Sequence, residues 1–190
     1  FKRFSDSHRD ARLYLHTDPL GIAGGENLYD IIKLVGLDSK LVLFPPQYEY
    51  LVGRVNAETL AQVYRAADVY LSTSHGEGFC LPIVESQLCG TSVIVARNTA
   101  QTELCLTGHA VRTEPYMPFD GATLWRRPSV VGIVEALESV YDRRHETPNR
   151  DAIRDRVMRY DVDHVFRHDM LPALKQMESS LGKTTAAESL

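Results

Sequence analysis

Cysteine is scarce. Three residues, Cys80, Cys89 and Cys105, stand nine and sixteen positions apart, and no C-x-x-C pair occurs. An odd count at such spacing argues against a disulfide framework or a structural zinc site and is the usage of a reducing cytosol. Surplus positive charge is absent too: 21 Lys and Arg against 25 Asp and Glu leave a net charge of −4. A nucleic-acid or anionic-membrane binder wants a basic face, which this balance does not supply. Long apolar runs are missing, and a stretch such as Leu41-Val42-Leu43-Phe44 falls far short of the roughly 20 residues a bilayer span needs. Residues 1–12 mix charge and apolarity without the pattern of a signal peptide. With Phe rather than Met at position 1, the chain is expected to begin inside a larger cytoplasmic protein.

What is present is a globular composition. Apolar residues make up 44% and charged residues 24% of 190, which excludes overall disorder and is enough for one domain with its own core. Strands are expected over 11–17, 40–44, 68–72, 92–96 and 110–113, where short apolar runs meet turn residues. Helices are expected over 27–35, 57–67, 82–90 and 102–106, and over 129–144, 149–160 and 163–179, from apolar spacing and capping residues such as Asn27, Asn56 and Ser129. Residues 47–55 read as loop or weak strand, and 114–128 as an irregular loop anchored by Trp125. The alternation of strands and helices predicts an α/β fold: a Rossmann-like parallel sheet with helices on both faces. The domain is expected to span 1–179, with a frayed tail at 180–190.

In such sheets ligands sit beyond the carboxyl ends of the strands. The loop after strand 68–72 lies there and reads Ser-Thr-Ser-His-Gly-Glu-Gly-Phe-Cys-Leu-Pro-Ile-Val-Glu over 72–85. Gly76 and Gly78 allow close backbone approach and dihedrals closed to other residues. A helix opening at Pro82 turns its N–H groups and partial positive charge back into the loop, a setting suited to a diphosphate. Glu77 and Glu85 bracket that anion site, and carboxylates there are suited to accept from sugar hydroxyls.

This arrangement resembles the E-x7-E motif of the retaining GT-B glycosyltransferases of family 4. The resemblance runs from about Ala11 to Glu138, through Asp-Ala-Arg-Leu-Tyr-Leu (10–15), Leu-Ala-Gln-Val-Tyr-Arg-Ala-Ala-Asp-Val-Tyr-Leu (60–71), Glu-Gly-Phe-Cys-Leu-Pro-Ile-Val-Glu-Ser (77–86), Cys-Gly-Thr-Ser-Val-Ile-Val (89–95) and Thr-Glu-Leu (102–104). It implies the carboxyl-terminal, donor-binding half of that fold. Glu77 would hold the donor sugar and act in catalysis. The backbone amides of Gly78, Phe79, Cys80 and Leu81 would line sugar and diphosphate. Glu85 would take the ribose hydroxyls, and residues 44–46 would lie near the base. The implied donor is a nucleotide-diphosphate sugar, with no cofactor and no metal, and the acceptor is unknown. The family has glycine where Cys80 stands, and a small residue plus proline where Thr91-Ser92 stands. Its phosphate-binding Arg and Lys follow a first strand that this chain lacks. The expectation is therefore a missing amino-terminal half, with the gap in the sheet filled by a swapped or partner strand, and a chain that does not turn over alone.

Plainer readings stand beside these. Glu85 by itself is an acid in a helix's first turn, Glu77 a solvated loop charge, and His75 a satisfied loop histidine. Gly21, Gly24 and Gly25 read as a turn, Asp161-x-Asp163 as a chance match to a metal-binding motif, and the cysteines as small core residues. A zinc deaminase would need a P-C-x-x-C that is absent. A phosphorylase would need a cofactor lysine, and Lys2, Lys33, Lys40, Lys175 and Lys183 all lie away from any pocket loop. The competing function is a non-catalytic module of the same fold that binds a nucleotide-sugar or a partner chain.

Overall fold

The structure is a computed structural model; it describes residues 1–22, 24–117 and 125–187, with side chains through Leu181. In chain order the elements are α1 (Lys2–Ser5), β1 (Leu13–Tyr14), α2 (Leu28–Leu34), β2 (Val42–Leu43), α3 (Gln47–Leu51), α4 (Ala57–Ala66), β3 (Val69–Leu71), α5 (Leu81–Leu88), β4 (Ser92–Ala96), α6 (Thr99–Leu104) and β5 (Gly108–Val111). A ribbon, β6 (Thr113–Tyr116) and β7 (Trp125–Pro128), follows, then α7 (Val130–Asp142), α8 (Arg150–Val157), α9 (Val162–Val165) and α10 (Leu171–Ala187).

The central sheet is parallel, in the order β3-β4-β5. Strand β4 explains why helices cover both faces. Its side chains alternate, and Val93, Ile94 and Val95 are each wholly buried, so neither face is free for solvent. Val93 and Val95 join Ile83, Val84, Leu104 and Val157 from α5, α6 and α8. Ile94 faces the other way and joins Val111, Ile133, Ala136, Leu137 and Phe4, which brings in α7 and α1. Each such aliphatic side chain contributes about 1.5–3 kcal/mol through burial. Phe4 also meets Tyr141 edge-on at 5.8 Å, and His8 Nε2 lies 2.8 Å from Glu138 Oε2, so the amino-terminal turn is docked on α7.

Strand β5 starts where only glycine fits. Gly108 has φ +127, and a Cβ there would stand 1.9 Å from the carbonyl oxygen of Val93. The close approach of the two backbones is what sets the β4–β5 register, Val93 opposite Gly108.

Strands β1 and β2 form a separate two-residue parallel ladder, Leu13 with Val42 and Tyr14 with Leu43. No ladder joins β1 to β3 among the described residues. The strand expected over 11–17 is thus much shorter than its alternating pattern implied. Its partner offers only two residues, and beyond Leu15 the chain turns on Asp18, whose carboxylate accepts from the amides of Leu20 and Ile22.

Other boundaries moved for identifiable reasons. Residues 47–51, expected as loop or weak strand, form helix α3 behind Pro46. The short helix expected at 102–106 begins at Thr99, and the strand expected at 110–113 begins at Gly108. The irregular loop expected over 114–128 is an antiparallel ribbon at its ends, with Tyr116 opposite Trp125; residues 118–124 lie outside the described residues. Asp161 caps α9, accepting from the amides of Asp163 and His164, so its resemblance to a metal motif is a helix start. Of the tail expected over 180–190, residues 188–190 are not described, and α10 runs to Ala187. The three cysteines are free and half-buried rather than fully in the core. Among the described residues no helix is long and apolar enough to cross a membrane.

Candidate active site

The loop between β3 and α5 forms a cleft of about 580 Å³, lined by Ser72, Ser74, Glu77, Cys80, Leu81 and Pro82 together with Tyr70 and its strand neighbour Leu71. That size suits a small-molecule ligand. The cleft stands at the carboxyl end of β3, as the parallel topology requires.

The loop enters α5 through an unusual turn. Cys80 is the N-cap, with φ 72 and ψ 72, and makes no side-chain cap. Left-handed backbone is uncommon for a residue with a Cβ. The sequence assigned such freedom to Gly76 and Gly78. Neither of them has positive φ; the reversal falls on Cys80, the residue that turns the chain into the helix. Among the described residues, the amides of Gly78, Phe79, Cys80 and Leu81 donate no hydrogen bond. The amide of Ile83 is closed off by Cys80 O at 3.1 Å, and Pro82 has none to give. Four consecutive free N–H groups before a helix can bind an anion.

The candidate residues do not all point one way. Glu77, Cys80 and Leu81 line the cleft. Phe79 turns to a second cleft of about 510 Å³, where its ring meets Tyr160 edge-on at 5.9 Å. Glu85 is the fifth residue of α5, so it lies beyond the first turn and the helix-start reading does not apply. Its Oε2 accepts from the hydroxyl of Tyr64 on α4 at 3.0 Å. Residues 44–46 follow β2; Phe44 packs on Tyr29 at 5.7 Å and Pro46 starts α3.

Two tyrosines escaped the sequence reading. Tyr64 is buried, and its phenol is pushed far above its ordinary value by burial, then by the charge and hydrogen bond of Glu85. Tyr70 is pushed up by burial first, then by Cys80, Glu77 and Glu85. Tyr64 and Tyr70 meet edge-on at 6.0 Å. The Cys80 thiol is likewise raised, by burial and then by Glu77, so at neutral pH the cleft holds a neutral thiol beside a carboxylate.

The loop is held from the side by the start of α6. Gln101 is wholly buried; its Oε1 accepts from Ser72 Oγ at 3.0 Å and its Nε2 donates to Ser74 O at 3.1 Å. Asn98 Nδ2 donates to His75 O at 2.8 Å. The His75 ring sits between Tyr116 at 5.0 Å and Trp125 at 5.8 Å. Trp125 thus packs beside the loop, though half-exposed.

Comparison with known proteins shows what the sequence is similar to. Residues 24–112 match the family model described as "Glycosyl transferases group 1". A D-inositol 3-phosphate glycosyltransferase of Mycolicibacterium vanbaalenii is 38% identical over 76 residues, 40% of this chain and 15% of the relative. A protein of the same name from Rhodococcus erythropolis is 34% identical over 104 residues, 50% of this chain and 21% of the relative. The chain thus matches about a fifth or less of these relatives' length. Over residues 24–112, the chain is thus similar to the group 1 glycosyl transferases.

Proposed function

We propose that this chain is the donor-binding half of a retaining hexosyltransferase, one that takes its sugar from a nucleotide diphosphate. The observation that carries the reading is the run of free amides from Gly78 to Leu81 at the mouth of α5, beside the carboxylate of Glu77. The amides suit a diphosphate. Glu77, as acceptor, suits the hydroxyls of the attached sugar. On this reading the bond from anomeric carbon to diphosphate oxygen breaks. Its electron pair leaves with the diphosphate, and the acceptor's hydroxyl oxygen joins the same face and gives up its proton to the departing diphosphate oxygen. The amides and helix mouth stabilise charge that grows on the leaving oxygen, and such fixed dipoles are usually the largest catalytic contribution. Glu85, held by Tyr64, is assigned to the ribose hydroxyls. No cofactor or metal is assigned, and the acceptor side is assigned to a separate amino-terminal half. The reading is cytoplasmic.

Calorimetric titration tests this with UDP and GDP as probes. The wild-type chain is expected to bind one of them, and Glu85→Ala to weaken that binding by about tenfold, the loss of hydrogen bonds to a charged acceptor. Equal affinity in wild type and variant would contradict the assignment of Glu85. Absence of binding to either nucleotide would contradict the donor reading itself and favour a partner-binding module.

A further inference from the structure

We infer that Thr99 is the positioning residue for Glu77. The inference rests on the donor-binding reading of the cleft, but its geometry stands on separate observations. Among the described residues only two without a glycine's freedom have positive φ: Cys80 in the loop and Thr99, at φ 49, in the segment that packs against it. A β-branched residue in left-handed backbone is strained, and such strain persists only where surrounding contacts hold it in place.

The contacts at Thr99 name what it holds. Its hydroxyl donates to Asn98 O at 2.9 Å, which fixes the proton and leaves a lone pair facing the loop. That lone pair accepts the amide N–H of Glu77 at 3.0 Å. Asn98, the N-cap of α6, makes no side-chain cap for its own helix and donates instead to His75 O. Gln101 donates to Ser74 O. Three residues of one short segment therefore grip four points of the loop, at 72, 74, 75 and 77. The grip ends at the residue whose side chain must meet the sugar, and it leaves the amides from Gly78 onward free. Fixing a reacting group by neighbours that never touch the substrate is how a site keeps its geometry before the ligand arrives.

Thr99→Val keeps the shape and removes the hydroxyl; Thr99→Ser keeps the hydroxyl. Amide hydrogen exchange on the 190-residue chain, read at Glu77, is the measurement independent of activity. Exchange in Thr99→Val is expected to be about tenfold faster than in wild type, and in Thr99→Ser to stay within about twofold, since one hydrogen bond is lost in the first and kept in the second. Unchanged exchange at Glu77 in Thr99→Val overturns the inference, as does equal acceleration in both variants, which marks general loosening. Titration with UDP-glucose and GDP-mannose separates the two layers. Thr99→Val is expected to weaken the bound sugar nucleotide severalfold in the wild-type background and to add nothing to Glu77→Ala. Additive losses overturn the inference. If wild type binds neither probe, the donor reading fails while the exchange result still decides the clamp.

Discussion

Gln87→Ala is expected to lower stability to urea unfolding by about 3–5 kcal/mol, in the range reserved for broken buried networks. Gln87 is wholly buried in α5. Its Nε2 donates to Ile83 O and to Leu104 O, each at 2.8 Å. Its Oε1 accepts from Leu106 N at 3.1 Å, Thr107 N at 2.9 Å and Thr107 Oγ1 at 3.0 Å. One side chain thus joins the helix that opens the cleft to the connection between α6 and β5. Truncation to alanine leaves the half-buried Thr107 amide without that partner and opens a cavity where the Gln87 side chain was wholly buried. Gln87→Glu is expected to be damaging as well, because it keeps the acceptor, loses the donor and brings a charge. A loss below about 1 kcal/mol for Gln87→Ala would show that the network is replaceable by water.

The second large effect concerns chemistry. In the intact transferase, Glu77→Ala is expected to lower kcat by more than about tenfold, toward the hundredfold typical of a lost preorganised electrostatic partner. KM for the donor should move less, because the interaction strengthens as the sugar separates from the diphosphate. Glu77→Gln keeps size and an acceptor but not charge, and should fall between. The carboxylate is half-exposed and faces the cleft, so neither variant should disturb the core, and thermal unfolding should be nearly unchanged. Steady-state rates within about twofold of wild type would remove Glu77 from the machinery.

Much of the architecture could be read from local pattern. The five residues of β4 were placed to the residue, because a fully buried parallel strand is a continuous apolar run. Asn27, Asn56 and Ser129 cap the helices they were expected to cap, because a short polar side chain before an apolar period has few other uses. Short strands fared worse. The pattern over 11–17 alternates for seven residues, yet only Leu13 and Tyr14 find a partner, and pairing is set by the neighbour rather than by the strand itself. The ribbon of Thr113 and Pro128 was hidden by prolines at 115 and 128, which an edge ribbon tolerates.

The site divides the same way. The loop's address followed from topology and the helix start. Its internal conformation did not. Nothing in the composition told Cys80 from Gly78 as the left-handed residue; the choice depends on where the chain reverses into α5. Gln87, Gln101 and Thr99 were not singled out in the sequence, and their roles come from partners 17 to 29 positions away. The hydroxyl of Tyr64 on Glu85 likewise joins elements 21 residues apart. Polar residues that serve tertiary networks carry no periodic signature, so sequence pattern cannot mark them.

The most direct test follows the backbone amides of the 190-residue chain by NMR while UDP-glucose or GDP-mannose is added. The account predicts that the resonances of Gly78, Phe79, Cys80 and Leu81 shift furthest, with Glu77 beside them, as their free N–H groups take up the diphosphate. Shifts that gather on another face, with these four amides unmoved at saturation, would contradict it.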